Sequence, residues 1–335
     1  MVRGITAKGH TVHVFKPRWG TGDSPEHTVS GAFVHSYTIP DDCVESIEAI
    51  DREEPFDLFH GFFLLSAFPC LRVAKGKRPV VASVRGVDGL LNWQACRNAV
   101  SRCSWITSVS GESLDRARAI APIENRCSVV LNSIDTSAFP KWTASSANAG
   151  VAGTVSTFRR KKNLPLLARA YSRVSPGLRR QLLLVGGFLS GATPDERAAA
   201  DFAALTSDLG IANEVRITGL IDNSQVPSFL LSMRAFALSS DHEGLPNAIL
   251  EAAACAVPIV ATAVDGVRDM FRSGSEALLV TPGDEEGFYQ ALQRVLADED
   301  LARQLSEGAL SAARRLTPER EVNGYLEVYR NLLVS

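Results

Sequence analysis

Residues 235–261 read AFALSSDHEGLPNAILEAAACAVPIVA. Ala235 to Leu238 is an apolar run without polar alternation, the mark of a strand covered on both faces. A polar loop follows. Pro246 stands where a helix begins, because its missing N–H would have had no partner in a first helical turn. Ala248 to Ala254 carries the helix, and Pro258 to Ala261 returns as a second apolar strand. Strand and helix alternating over short connections predict a parallel sheet wrapped by helices.

The same alternation continues on either side. Val151–Ser156, Gln181–Val185, Val215–Thr218 and Ala277–Val280 are further strand candidates, separated by helical patterns such as Leu164–Arg173 and Ala198–Leu209. Upstream, Gly9–Phe15 reads as a turn entering a strand, and Leu58–His60, Val80–Val84, Trp105–Ser110 and Ser128–Leu131 continue the series. Lys141–Gly150 is polar and small, which reads as a linker. The expected organisation is a first α/β domain over 1–140, a linker over 141–150 and a second α/β domain over 151–316. The tail from Asp284 to Leu333 is helical with a break near Thr317-Pro318, and its last piece, 317–335, is expected to pack back toward the first domain. Two open α/β domains joined in this way leave a cleft between the carboxyl ends of their strands, where ligands of such folds sit. Val2–Ala7 reads as only the tail of a helix. The strand and glycine-rich turn that normally open a doubly wound domain therefore have no residues to occupy, and an upstream extension of the natural protein is expected.

At 335 residues the chain has room for two domains, and 45% hydrophobic against 21% charged residues gives each enough apolar material for a core. A net charge of -2 supplies no field that would recruit nucleic acid or an anionic membrane. The scattered Cys43, Cys70, Cys96, Cys103, Cys127 and Cys255 form no zinc spacing or disulfide framework, so reduced thiols in the cytoplasm are expected. No apolar stretch approaches the roughly 18 to 20 residues of a membrane span. Two basic runs stand out, Lys75–Arg78 and Arg159–Lys162. The first suggests a peripheral encounter with the inner membrane face; such runs are more often solvated.

The loop after Leu238 carries the chemistry. Free N–H groups and the positive end of the dipole at the helix beginning near Pro246 make a ready phosphate site. Glu243 lies in the loop and Glu251 about one and a half turns into the helix. One carboxylate can reach a group beside the phosphates while the other addresses a hydroxyl pair such as a ribose diol. A lone glutamate is ordinarily a solvated helix residue, but Ala252–Cys255 makes this helix apolar, and a carboxylate on it needs a partner. In Gly153–Asn163, Arg159 and Lys162 can flank a diphosphate, with Arg160 and Lys161 able to replace them by one register. Gly186-Gly187 after Leu182–Val185 permits close backbone approach, to a ligand or merely in a tight turn. His60 reads as a satisfied core histidine.

Together these segments resemble the Glu-x7-Glu signature of retaining glycosyltransferases of the GT-B fold, in particular family 4. Ala256–Thr262, Asp265–Asp269 and Leu278–Asp284 match the family's following turns, with Asp265 replacing the first Gly of its Gly-Gly-x-x-Glu and Asp269 the Glu. The resemblance implies two Rossmann-like domains facing each other across a cleft, with C-terminal helices, and transfer of a sugar from a UDP- or GDP-linked donor to a hydroxyl. It implies catalytic roles for Arg159, Lys162 and Glu243. Donor-binding roles fall on Gly186, Gly187, Leu220, Ile221, Gly244, Leu245, Pro246, Asn247 and Glu251. Arg85-Gly-Val-Asp88 resembles the family's His-Gly-x-Asp turn with arginine for histidine, which places Arg85 and Asp88 on the acceptor side. No metal or other cofactor is expected, and the acceptor would be a glycan or lipid-linked glycan. A sugar-nucleotide epimerase, a phosphorylase and a non-catalytic sugar-nucleotide binder remain alternatives.

Overall fold

The computed structural model of the chain describes residues 1–17, 26–29, 31–37, 40–85, 93–145, 148–187 and 193–334. It divides into two compact units, Met1–Asn132 with Pro318–Ser335, and Ser133–Thr317.

The first unit holds two sheets. Strands β1 (His13–Pro17), β2 (Glu26–Val29) and β3 (Ala32–Tyr37) lie in the order β1-β3-β2, with β1 and β3 parallel. The hairpin β2–β3 is absent from the sequence reading. Its register sets Val29 opposite Ala32, and Gly31 takes a φ of +80°, the left-handed backbone that two-residue hairpin connections use. Strands β4 (Phe59–Gly61), β5 (Val80–Val84), β6 (Trp105–Ser108) and β7 (Cys127–Val129) form the second sheet, in chain order and all parallel. Every residue of β5 is buried, as its unalternated apolar run predicts. Ala82, Val84 and Ile106 pack in one core with Leu71, Val73 and Ala74 of the helix Ala67–Ala74 and Val100 of the helix Trp93–Arg102.

The second unit is a single parallel sheet of β8 (Val151–Val155), β9 (Gln181–Val185), β10 (Val215–Ile217), β11 (Ala235–Leu238), β12 (Ile259–Thr262) and β13 (Leu278–Val280). Their order is β10-β9-β8-β11-β12-β13, so the winding reverses between β8 and β11. The loops leaving those two neighbours splay to opposite faces of the sheet and open a crevice at their carboxyl ends. Helices Leu164–Arg173 and Asn247–Ala254 follow these loops and bury Leu166, Leu167, Ile249 and Leu250. Helix Asn247–Ala254 stops where Ala256 turns left-handed at φ +60°. The tail is interrupted twice: besides the break before Pro318, Asp298 ends the helix Glu285–Ala297 and caps Glu299–Arg314 by accepting from Leu301 N. Among the described residues no helix is long and apolar enough to cross a membrane.

Residues 141–150, read from composition as a linker, belong to this unit. Trp142 is buried, donates from Nε1 to Met233 O at 2.7 Å and from its backbone N to Cys255 O at 2.7 Å. An indole that buries its ring and pairs its N–H outweighs the polar residues around it.

The helix Pro318–Leu333 completes the first unit. Val322 and Leu326 cluster with Ile5, and Gly4 admits this approach, since a Cβ there would stand 2.4 Å from Val322 Cγ2. A chain of polar bonds runs beneath it. His60 on β4 meets Tyr329 Oη through Nδ1 at 2.6 Å and Ser83 Oγ through Nε2 at 2.7 Å, and Ser83 Oγ meets Thr107 Oγ1 at 2.7 Å. A neutral imidazole, donor at one nitrogen and acceptor at the other, satisfies both bonds. Burial, followed by the nearby charge of Arg85, pushes His60 down to about 3 from its ordinary 6.5. The unfolded chain therefore takes up this proton first. The stability tied to neutral His60 is complete above pH 6.5 and is lost as pH falls toward 3. Between pH 6.5 and 4.5 the wild type should lose about 2 kcal/mol more than His60→Gln, read from chemical denaturation at both pH values. Equal losses would show that the histidine is not held neutral.

Candidate active site

The loops after β8 and β11 meet at the reversal. The first runs along the end of β9: Ser156 N donates to Val185 O and Phe158 N to Gly187 O, both at 2.9 Å, and the Phe158 ring is buried. Residues 160–162 then make one tight helical turn, and Asn163 closes it. The second loop is stitched onto the first. Asp241 N donates to Lys161 O and Ser239 Oγ to Lys162 O, each at 2.8 Å.

This stitching gathers a charge cluster. Glu243, with 6% of its side chain exposed, receives Lys162 Nζ on Oε1 at 2.5 Å and Lys161 Nζ on Oε2 at 3.3 Å. Ser240 Oγ donates to Oε1 at 3.1 Å. Lys162 and Glu243, both expected from the sequence, are thus brought together. Arg159 is exposed and makes no side-chain ion pair among the described residues. Lys161 entered the sequence reading only as a register alternative and Ser240 not at all. The signal that favours both was their spacing from Lys162 and Glu243, which does not say which way a loop side chain points.

Pro246 is the residue before the helix, not within its first turn: it is extended at φ -71°, and the helix starts at Asn247 with no side-chain cap. The N–H groups of that first turn keep the polarity that favours an anion. Glu251, further along, is partly buried, and burial raises its carboxyl above the ordinary range. Gly244 and Leu245 are fixed from behind. Gly266 N donates to Gly244 O at 2.7 Å, and a Cβ on Gly266 would lie 2.3 Å from that oxygen. Of the Gly-Gly pair expected here, the glycine that sterics demand is the one this chain keeps. Gly186 has a comparable internal cause, with φ +124° and a would-be Cβ 1.8 Å from Ser156 O. Gly187 lies against Gly219 and Leu220 N, and Leu220 is 68% exposed. Gly187 follows the end of β9, and Gly219 to Ile221 follow the end of β10.

In the first unit Arg85, at the end of β5, donates to Asn132 Oδ1 at 2.5 Å and Tyr325 Oη at 3.3 Å and lies over the Phe62 ring at 4.5 Å. Asp88 lies outside the described residues. The run Lys75–Arg78 is less basic than it reads: Arg78 pairs with Asp51 and packs over Phe59, while Lys75 pairs with Glu48 at 3.3 Å. Lys75 nonetheless stays largely exposed, and so does Lys77.

Breaking the cluster has a stability cost, because a buried carboxylate stripped of its nearer cation loses much of what compensates its removal from water. Lys162→Met should destabilise the ligand-free protein by about 2 kcal/mol, Lys161 retaining part of the pairing. Adding Glu243→Gln should recover most of the loss in urea denaturation. A double variant no more stable than Lys162→Met would show that the pair carries no such energy.

Known proteins share the family and the fold of this chain. The family model for glycosyl transferases group 1 matches residues 138–311, and that for glycosyltransferase family 4 matches residues 1–138. The lipopolysaccharide core biosynthesis glycosyltransferase LpsE of Rhizobium meliloti is 32% identical over 183 residues, 54% of this chain and 50% of that protein. The chain thus aligns with half the length of LpsE. The N-acetyl-alpha-D-glucosaminyl L-malate synthase of Bacillus anthracis is 25% identical over 304 residues, 85% of this chain and 77% of that protein. Among solved structures, sucrose-phosphate synthase of Thermosynechococcus elongatus superposes with a TM-score of 0.86 at 19% identity, covering 99% of this chain and 91% of that one. HepE of Anabaena, in complex with UDP and glucose, gives 0.79 at 18% identity over 89% of this chain and 86% of that one. The strand reversal, the two-domain α/β architecture and the family match over more than half of the sequence together identify the chain as a member of the glycosyl transferases group 1 family with the GT-B fold.

Proposed function

We propose that the chain is a retaining glycosyltransferase that moves a sugar from a nucleoside diphosphate sugar, UDP- or GDP-linked, to a hydroxyl of a glycan or lipid-linked acceptor. The observation that carries this reading is the convergence of Lys161 and Lys162 on Glu243 at the strand reversal, in the same crevice as the start of the helix Asn247–Ala254. Cleavage of the bond from the anomeric carbon to the diphosphate oxygen leaves negative charge on the departing group. Ammonium groups already in place stabilise that charge without reorganising. Phosphate oxygens compete with Glu243 for the two lysines, so arrival of the donor exchanges one anionic partner for another. The freed lone pairs of Glu243 then accept from a sugar hydroxyl. Arg159, exposed at the start of the same loop, adds planar two-point contact to the diphosphate. Glu251 accepts from the ribose diol, and Gly187, Leu220 and Ile221 take the base. In this scheme the acceptor oxygen attacks the face that the diphosphate leaves and passes its proton to the departing oxygen. The charge is met by side chains, so the reaction is proposed to run without a metal. HepE in its complexes with UDP and with UDP-glucose supports UDP as the first nucleotide to try. The curated relatives that build lipopolysaccharide core support a glycan acceptor.

Thermal denaturation with UDP, GDP and ADP tests the donor site. A nucleotide at about 100 times its Kd should stabilise the wild type by roughly 2.7 kcal/mol and shift nothing in Arg159→Ala/Lys162→Ala. A folded wild type that responds to none of them would sink the reading. The anomeric configuration of the transferred sugar, read by proton NMR of the product, should match that of the donor. Inversion would refute retention, and an isomerised donor without a glycosylated product would point to an epimerase.

A further inference from the structure

Asn163 holds a backbone conformation that a side chain disfavours, φ +44° and ψ +49°. Glycine would adopt it freely, so the asparagine side chain does something that glycine cannot. It makes two bonds in different directions. Oδ1 accepts from Leu166 N at 3.2 Å, which caps the helix Leu164–Arg173, and Nδ2 donates to Asp241 Oδ1 at 2.7 Å in the neighbouring loop. One end must accept and the other donate, so the two partners fix the orientation of the amide. Asp241 returns the bond through its backbone, donating to Lys161 O at 2.8 Å, and Ser239 Oγ holds Lys162 O at 2.8 Å. The backbone is therefore pinned on both sides of Lys162, by bonds that leave its ammonium untouched. A lysine has four rotatable side-chain bonds, and its reach into the crevice is defined only when its root is fixed.

We propose that Asn163 and Asp241 are a positioning pair: their hydrogen bond aims Lys162 at the leaving diphosphate, and neither residue touches the ligand. This rests on the donor-site reading above. If the pair acts through Lys162, removing it matters only while Lys162 is present. The bond also needs an acceptor oxygen at 241 but not a charge.

The experiment is calorimetric titration with UDP, GDP and ADP in turn, alongside kcat and KM for the donor. The proteins are the wild type, Asp241→Ala, Asp241→Asn, Asn163→Gly, Lys162→Ala and Asp241→Ala/Lys162→Ala. Asp241→Ala and Asn163→Gly should each weaken nucleotide binding about tenfold and lower kcat. Asp241→Asn, which keeps the acceptor oxygen, should stay within about twofold of wild type. In the Lys162→Ala background Asp241→Ala should cause no further loss, the non-additivity expected of residues acting through one another. Asn163→Gly keeps the backbone conformation, so it decides the matter if Asp241→Ala fails to fold. Equal losses in both backgrounds, or Asp241→Asn as weak as Asp241→Ala, or full binding in Asp241→Ala and Asn163→Gly, would overturn the positioning pair alone. A folded wild type that binds none of the three nucleotides would overturn the donor site and the pair with it.

Discussion

A carboxylate taken out of water must find its compensation within the protein, and Glu243 is the residue on which that constraint falls. Two ammonium groups and a hydroxyl meet it. That arrangement is possible only because β8 and β11 are neighbours in the sheet, which sets the basic loop beside the acidic one. With any other strand order the cations would be dispersed over the surface. The topology therefore precedes the chemistry, and the ion cluster in turn keeps the lysines gathered before a ligand arrives. Such a site has already met the desolvation cost of its cations when an anion enters, which is the condition for electrostatic preorganisation.

The second unit was almost wholly legible in the sequence because a parallel strand covered on both faces leaves an unalternated apolar run, as five of its six strands do; the edge strand β10 reads Val-Arg-Ile and is partly exposed. The strands of its reversal, Val151–Val155 and Ala235–Leu238, match the expected windows to within a residue. Legibility failed where a single side chain outweighs composition. Trp142 lies in a run of small polar residues that reads as linker, and only its buried ring and its bond to Met233 O reveal otherwise. The β2–β3 hairpin carried a signal, Ser30-Gly31 between two short runs with β-type residues, but such brief strands barely rise above the surrounding loop. Within the site the sequence named the right loops without resolving their side chains. A tight turn over Arg160–Lys162 rotates successive residues by about 120°, so adjacent cations face different ways. Gly186 was read as ligand approach or a tight turn and Gly266 as part of a turn, and the structure adds a steric cause for each in carbonyl oxygens of the chain itself, Ser156 O and Gly244 O.

Arg85 shows how one substitution within a familiar turn reorganises its surroundings. Where the resembling family carries histidine, the guanidinium here reaches Asn132, Tyr325 and the face of Phe62 together. Arginine suits this setting because it is planar, always charged and weakly hydrated, so it can lie among rings while its N–H groups find oxygens. Its charge also acts on its neighbour. The imidazole of His60, already disfavoured as a cation by burial, is held further toward neutrality by Arg85. The position therefore ties a strand end, the segment at Asn132 and the last helix of the chain into one electrostatic unit.

The bond between His60 and Tyr329 joins residues 269 positions apart. Synthesis is vectorial, and this separation orders events. All of Ser133–Thr317 leaves the ribosome before the helix Pro318–Leu333 that closes the first unit. The second unit can reach its native core while the first still lacks Val322, Tyr325 and Leu326. At translation rates of about 5–20 residues per second, the intervening segment keeps the earlier-made half waiting on the order of ten seconds or more. During that interval the groups that later receive the helix, Ile5 and His60 among them, face solvent. The domain made first is in this sense finished last, and its exposure to chaperones and proteases during synthesis is written into the order of the chain.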